Sequence, residues 1–402
     1  MNEKVPDGWK RVKLGEVVDI KHGFAFKGEG ITYGETEAIL LTPGNFNIGG
    51  GFKSEKQKYY KGQFPREYVL SEGSFIITMT DLSRNSDTLG YSAKIPFYKN
   101  KIFLHNQRIG LLDFIDNNVC KEFIYWLTRT PDYHCFIVNS ASGTSIMHTS
   151  PSRIKNYEFY MPPFLEQKAI TSVLSSLDDK IDLLHRQNNT LEQMAETLFR
   201  RWFVEEAKEE WGTSTIGEQL TTVLGGTPST TKQEYWDGDV PWINSGEVNK
   251  FRIYKPTRYI TKLGLENSNT KILPKGTIVI AITGATLGQI SLLEIDTCTN
   301  QSVVGIIPNK NYPKEFVFFW IKHTIKEIIL NETGGAQPHI NKNDIYKTKL
   351  IVPPLSIIKE KVSILSDYFN IIINNNNQIS ALEKLRDILL PKLMSGEVRV
   401  RI

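Results

Sequence analysis

A chain of 402 residues, 40% hydrophobic and 11% aromatic, holds enough apolar surface for two or more globular domains, and its formal charge of +4 permits a nucleic-acid partner without announcing one. Three widely spaced cysteines (Cys120, Cys135, Cys298) form neither a CxxC pair nor a Cys/His zinc spacing, which argues against a structural metal and fits a reducing compartment. With no apolar signal core in MNEKVPDGWK and no run of eighteen apolar residues, a soluble cytoplasmic protein away from any membrane is expected.

In chain order, GSFIITMT (73–80) reads as a buried strand led by a glycine turn, KIFLHNQRIGLL (101–112) as a further strand, and KEFIYWLTRT (121–130) as a helix. From Ile170 the apolar residues step by four and three through Leu174, Leu177, Ile181 and Leu184. After Asn188 they continue through Leu191, Ala195, Leu198 and Trp202. This is a coiled-coil seam broken by one asparagine. The same order then returns. GTIVIAIT (276–283) and CTNQSVVGIIP (298–308) read as strands, and KEFVFFWIKHTIKEIIL (314–330) as a helix. A second seam runs through Leu365, Tyr368, Ile372, Asn375, Ile379, Leu382, Arg386, Leu389 and Leu393.

The pairs Thr88/Thr286, Asn106/Asn300, Phe123/Phe316 and Pro162/Pro353 are separated by 198, 194, 193 and 191 residues. They arrive in one order with smoothly shrinking offsets, so one unit is present twice and the first copy carries extra loop residues around TDLSRNSD (80–87). The expected fold is α+β: two globular domains in pseudo-twofold repeat, joined by two long antiparallel coiled-coil helices. The expected divisions are domain 1 over 1–162, helix 1 over 163–210, domain 2 over 211–353 and helix 2 over 354–402. Asn188 and Asn375 both fall near mid-helix, where a paired amide would fix the register of the two helices.

MPPFLEQKAI (161–170) invites comparison with the tetrapeptide by which adenine methyltransferases hold a flipped base. That reading needs a polar residue before the two prolines, but Met161 and Val352 stand there, and neither makes the bond. IGGGF (48–52) supplies glycines with no βαβ unit around them, so no S-adenosylmethionine site is read. No PD…(D/E)xK nuclease pattern occurs in a sensible context. Pro163 suits a helix start, and Pro162 keeps Met161 extended.

PPFLEQKAI…LLHRQNNTLEQMAETLFRRWFV and PPL…LEKLRDILLPKLMSGEVRV, together with YWDGDVPWINSGEV, KGTIVIAITGATLGQIS and TNQSV, resemble the specificity (S) subunit of type I restriction–modification systems. The resemblance spans nearly the whole chain. It implies that each globular part is a target-recognition domain reading one half of a split, asymmetric sequence in double-stranded DNA. It also implies that the helices separate the two domains and dock two methyltransferase (modification) subunits, to which restriction (translocase–nuclease) subunits add. Such a subunit is not itself an enzyme and holds no cofactor; S-adenosylmethionine, ATP and magnesium would be bound by its partners. A related or orphan methylation system without a nuclease gives the same sequence pattern. The second copy departs from FLEQK by placing Ile357-Ile358 where the first has Glu166-Gln167, and it also carries NNNN at 374–377, which together point to unequal faces for the two methyltransferase subunits.

DNA-reading side chains are expected in loops between strands. In the first domain these are His22, Phe24 and Lys27 of KHGFAFKG, then Asn45, then Thr80, Ser83 and Arg84 of the extra loop. Gln107 and Arg108 follow, and SASGTSIMH adds Ser142, Thr144, Ser145 and His148. In the second domain they are Thr227, Ser229, Thr231 and Lys232 of GGTPSTTK, then Asn244, Ser245, Thr286, Gln301, Gln337 and His339. Glycine-rich Ser/Thr turns also serve simply as turns. Asn106 and Asn300 recur inside apparent strands, which favours a shared role in satisfying backbone groups. Arg84, Arg108 and Lys232 differ between the copies, as base-reading residues in two different half-sites should. Trp236 and Trp242 are assigned to the core.

A helix over about 164–203 is roughly 60 Å long, or about 17 base pairs of duplex. If helix length sets the gap between half-sites, inserting one or two turns into both helices lengthens the preferred gap, measured by mapping the methylated sequence; an unchanged target refutes the ruler.

Overall fold

In the computed structural model the described residues are 5–55, 57–83, 85–332 and 339–401. They form two compact units, Met1–Leu183 with Gln378–Ile402, and Leu184–Asn377.

In the first unit, Lys10–Lys13 pairs antiparallel with Glu158–Met161, the last strand before the two prolines. Besides the short antiparallel pair Thr80–Asp81 with Met147–His148, two larger sheets lie between them. One is four-stranded and antiparallel, in the order Val18–His22, Ile109–Phe114, Phe75–Thr78, Ser92–Lys94. The other is five-stranded and contains the parallel pair Ala38–Leu40 and Ile102–Leu104. Helices Lys121–Leu127 and Pro131–Ser140 bring Phe123, Ile124, Trp126, Tyr133 and Ile137 into the core beneath the first sheet.

The second unit repeats this plan. Gly212–Thr215 pairs antiparallel with Lys349–Val352. Its main sheet runs Thr221–Leu224, Val303–Ile307, Ile278–Ala281, Ile290–Leu293, Arg252–Ile253. A second sheet holds the parallel pair Trp236–Ile243 and Cys298–Thr299. Helix Lys314–Glu332 contributes Phe316, Phe318, Phe319 and Ile321 to the core. Trp236 and Trp242 are buried, and their indole N–H groups donate to the carbonyls of Ser229 and Gly226, both at 3.1 Å. A tryptophan buried with its one donor satisfied is a core residue, as the sequence indicates.

Each unit's closing strand gives way through two prolines to a long helix: Phe164–Arg200, 37 residues, extended by a π turn over Arg201–Glu205, and Leu355–Ser395, 41 residues. Each unit contains one half of both. In the first, Glu166 pairs with Arg399 and Asp178 with Arg386, so rising numbers on one side meet falling numbers on the other. In the second, Asn188 faces Asn375, and Lys361 lies over the Trp202 ring at 5.3 Å, again antiparallel. The buried stripe follows the seam read from sequence through Ile170, Leu174, Ile181, Leu184, Asn188 and Ala195, then shifts one place to Phe199 and Phe203. A straight helix at 3.6 residues per turn drifts in this way against a 3.5 repeat.

The Glu-Gln to Ile-Ile difference does not concern an outer face. Glu166 and Gln167 are buried. Glu166 accepts from the Trp9 indole at 3.1 Å and from Arg399 at 2.8 and 2.7 Å. The Gln167 amide donates to the Pro162 carbonyl at 2.9 Å and accepts from the Cys120 N–H at 2.8 Å. In the second copy, Ile358 is buried and Ile357 half-buried in an apolar cluster. The Glu-Gln to Ile-Ile difference is thus an internal one: the first copy locks strand, prolines and helix by polar contacts, and the second does so by apolar burial.

The Asn188 Oδ1 accepts from the Asn375 amide at 2.9 Å, and the Asn188 amide donates to Asn376 Oδ1 at 3.2 Å. The Asn376 amide in turn donates to the Tyr254 hydroxyl at 2.7 Å. Replacing Asn375 alone by Leu leaves the Asn188 oxygen buried without this partner, at a cost of about 1–3 kcal/mol. The double change Asn188→Leu/Asn375→Leu should recover much of that loss in urea unfolding; equal losses for single and double variants would show that the two amides are uncoupled.

Candidate nucleic-acid interface

In the first unit three strand ends meet at one edge of the four-stranded sheet. His22 pairs with Gly110, and Thr78 with Ile109. KIFLHNQRIGLL is not one strand: it forms Ile102–Leu104 in one sheet and Ile109–Phe114 in the other, with a tight turn between. Asn106 makes that turn, because its Oδ1 accepts the N–H of Arg108 at 3.1 Å. Asn and Asp favour such local side-chain turns. The Phe24 N–H donates to the His105 carbonyl at 2.8 Å, and the Gln107 N–H donates to the Phe24 carbonyl at 2.9 Å. Gly23 permits this crossing: a Cβ there would stand 2.3 Å from the Asn106 carbonyl oxygen. The Met79 N–H donates to the Arg108 carbonyl and the Thr149 N–H to the Met79 carbonyl, both at 3.0 Å, adding the 80–88 and 142–149 loops to the same edge.

The edge displays His22, Lys27, Gln107, Arg108, Ser142, Thr144, Ser145 and His148 as exposed side chains, with Phe24 and Ser83 half-buried. Two expected readers are corrected. Asn45 is 2% exposed; its Oδ1 accepts the Thr42 N–H at 2.9 Å, its amide donates to the Lys53 carbonyl at 3.3 Å, and it closes a turn. Thr80 is 3% exposed and lies 3.1 Å from Nδ1 of His148, so it holds that ring in place. Arg84 lies outside the described residues. The extra loop is organised by buried Asp81, whose oxygens accept the Ser83 and Thr88 N–H groups, each at 2.5 Å, and the Thr88 hydroxyl at 2.7 Å. Burial alone would raise the Asp81 pKa, but the hydrogen bonds from Ser83 and Thr88 outweigh it and the value falls below the usual carboxylate range.

The second unit builds the same frame with other side chains. Asn300 Oδ1 accepts the Ser302 N–H at 3.2 Å, and a Cβ at Gly225 would stand 2.2 Å from the Asn300 carbonyl. The Ile282 N–H donates to the Ser302 carbonyl at 2.9 Å, and the Ile340 N–H donates to the Ile282 carbonyl at 3.1 Å. This edge gathers Thr227, hydrogen-bonded to Gln301, with Asn244, Ser245, Thr286 and His339. Gln301 and His339 are exposed; Thr227, Asn244, Ser245 and Thr286 are half-buried. The Asn244 Oδ1 is occupied by the Gly246 N–H at 2.7 Å. Ser229, Thr231 and Lys232 are exposed, with Lys232 Nζ 2.9 Å from the Tyr235 hydroxyl, a bond that favours the charged ammonium. Gln337 lies outside the described residues.

Each edge borders a cleft. The first, about 460 Å³, is lined by Gln107, Arg108, Leu82, Lys53 and Lys58 among others; the second, about 870 Å³, by Thr227, Gln301, Lys271 and Lys342. These lysines escape sequence reading because single lysines in ordinary loops carry no pattern. Arg153 escapes it for the same reason. It donates to the Ser142 hydroxyl at 3.0 Å and the His148 carbonyl at 3.3 Å, bracing the displayed loop. Amides, hydroxyls and cations, the side-chain types gathered on these edges, are the kinds of group that contact base edges and phosphates in protein–DNA complexes.

Residues 6–193 and 208–384 each match the type I restriction modification DNA specificity domain. The type I restriction enzyme MjaIX specificity subunit of Methanocaldococcus jannaschii is 26% identical, with 99% of this chain and 95% of that one covered. The HindI specificity subunit of Haemophilus influenzae is 25% identical over 70% of this chain and 78% of its own. In fold, the S subunit of the type I restriction–modification system from M. genitalium aligns over 98% of this chain and 97% of that one, with a TM-score of 0.54 at 18% identity. With the specificity domain matched in both repeats, this chain belongs to the family of type I restriction–modification DNA specificity subunits.

Proposed function

We propose that the chain reads a bipartite, asymmetric sequence in double-stranded DNA, one half by each of the globular parts 1–162 and 211–353. The spacer helices, 163–210 and 354–402, set the gap and carry two methyltransferase subunits, with restriction subunits joining them. The chain supplies recognition alone; methyl donor, nucleotide and magnesium sites belong to the partners.

One observation carries the reading. The same turn, fixed by Gly23 with Asn106 and by Gly225 with Asn300, presents Gln107-Arg108 in one copy and Gln301-Ser302 in the other. A shared frame with different displayed donors is what two readers of different half-sites need. Arg bonds bidentately to guanine in the major groove, and Gln to adenine. The modest net charge of +4 fits a subunit that shares its phosphate contacts with partners.

Expressing the chain with its neighbouring methyltransferase and mapping methylated adenines across a genome should yield two short blocks separated by a fixed gap. A continuous palindrome, or no methylation, overturns the proposal. Arg108→Ala should weaken binding of the complex by about 1–3 kcal/mol and relax preference at one position of one half-site only; equal relaxation in both halves contradicts one reader per half. The isolated chain should bind duplex weakly, and the assembled complex tightly with a steep salt dependence in filter binding.

A further inference from the structure

Away from the displayed edge, one side chain ties three parts of the first unit together. Arg129 follows helix Lys121–Leu127 and is 6% exposed. Its Nε donates to the Gly49 carbonyl at 3.0 Å. Its Nη1 donates to the Tyr125 hydroxyl at 2.6 Å and to Asp178 Oδ2, on the first long helix, at 2.9 Å. The other oxygen of Asp178 accepts from Arg386 Nη1, on the second long helix, at 2.8 Å. The guanidinium carbon lies 4.9 and 4.3 Å from the ring centres of Tyr125 and Trp126.

The loop over this guanidinium is IGGGF. Gly49, Gly50 and Gly51 have φ of 80°, 86° and 92°, and a Cβ at Gly50 would meet Arg129 Cγ at 2.6 Å. Three glycines therefore let the chain fold tightly onto the arginine. The loop follows directly from the turn Pro43–Asn45, whose Pro43 and Gly44 line the cleft beside Gln107 and Arg108. The route from the cleft to both helices is thus cleft wall, glycine loop, Arg129, Asp178, Arg386.

The second unit has a simpler counterpart. Lys322 stands eight residues after the Lys that opens KEFVFFW, as Arg129 stands eight after the Lys that opens KEFIYW. Its ammonium donates to Glu196 Oε2, on the first long helix, at 2.6 Å. In both copies a cation at this position is paired with a carboxylate on a spacer helix.

Buried ion pairs contribute little net stability compared with apolar packing, but they fix geometry where each partner is fully engaged. A guanidinium is always charged, and its planar fork directs each N–H. Resting on the function proposed above, we propose that Arg129 and Asp178 form a positioning latch. It fixes the angle at which the first recognition domain stands on the helices and thereby admits a single gap length between half-sites. Helix length sets the gap coarsely; the latch prevents the domain from rocking by the 3.4 Å of one base-pair step.

The test uses the full chain assembled with its methyltransferase and a duplex library holding both half-sites at every gap length. Wild type should methylate one gap. Asp178→Asn should raise methylation at gaps one base pair shorter and longer, relative to the preferred gap, by about tenfold, with base preferences in both halves unchanged. Arg129→Gln/Asp178→Asn removes both charges and leaves no buried ion unpaired between them, and Arg386 retains Asp387; it should behave alike. Arg129→Lys keeps the charge but cannot reach three acceptors from one fork, and serves as the mildest variant. An unchanged gap profile in these variants, even with a lowered melting temperature, overturns the latch. A wild-type target that is not bipartite overturns the function proposed above instead.

Discussion

A 37-residue helix with an apolar stripe along one side has to bury that stripe, since isolated helices draw little stability from propensity alone. This constraint organises each unit. Half of the first long helix lies antiparallel to half of the second, and the recognition domain's own helix packs onto both. In one unit, Ile170 and Leu174 share a core with Phe123, Trp126, Leu390 and Leu393. In the other, Ala195, Phe199 and Phe203 share one with Phe316, Phe319, Leu365 and Phe369. Neither helix is a plain tether: its buried face is the floor on which a sheet-bearing domain is built.

Polar groups inside these seams set position. The amides of Asn188, Asn375 and Asn376 interlock and reach Tyr254. Asp178 joins Arg129 to Arg386. Glu166 joins Trp9 to Arg399, beside the Gln167 amide that grips Pro162. Apolar packing tolerates sliding by a residue or a turn; a buried amide or ion pair does not, because sliding leaves it unpaired.

Much of this fold is legible in the sequence because its signals are periodic or repeated. The long helices, their asparagines and the order of strands come from apolar spacing and from the matched pairs between copies. Four things are not legible. The polar stretches at 105–108 and 299–302 interrupt apolar runs by only four residues, too short a break to separate one strand from two. Asn45 and Thr80 look like displayed polar residues, yet both are buried: Asn45 closes a turn on its own backbone and Thr80 bonds the His148 ring, and neither use differs in composition from a side chain that faces outward. Lys53, Lys58, Lys271 and Lys342 reach their clefts only through tertiary folding. Glu166 and Gln167 look like surface positions on a helical end, and only the arrival of Arg399 and Cys120 makes them interior.

The crossing of Gly23 over Asn106, and of Gly225 over Asn300, separates two jobs that most loops combine. The glycine and the asparagine spend their geometry on each other and hold the turn. The next two residues, Gln107-Arg108 and Gln301-Ser302, have exposed or partly exposed side chains that hold nothing in the turn's backbone. A change at those two positions alters the chemical face offered to a ligand while leaving the scaffold's hydrogen bonds in place. The turn thus works as a socket with interchangeable pins, and the same socket is moulded twice in one polypeptide.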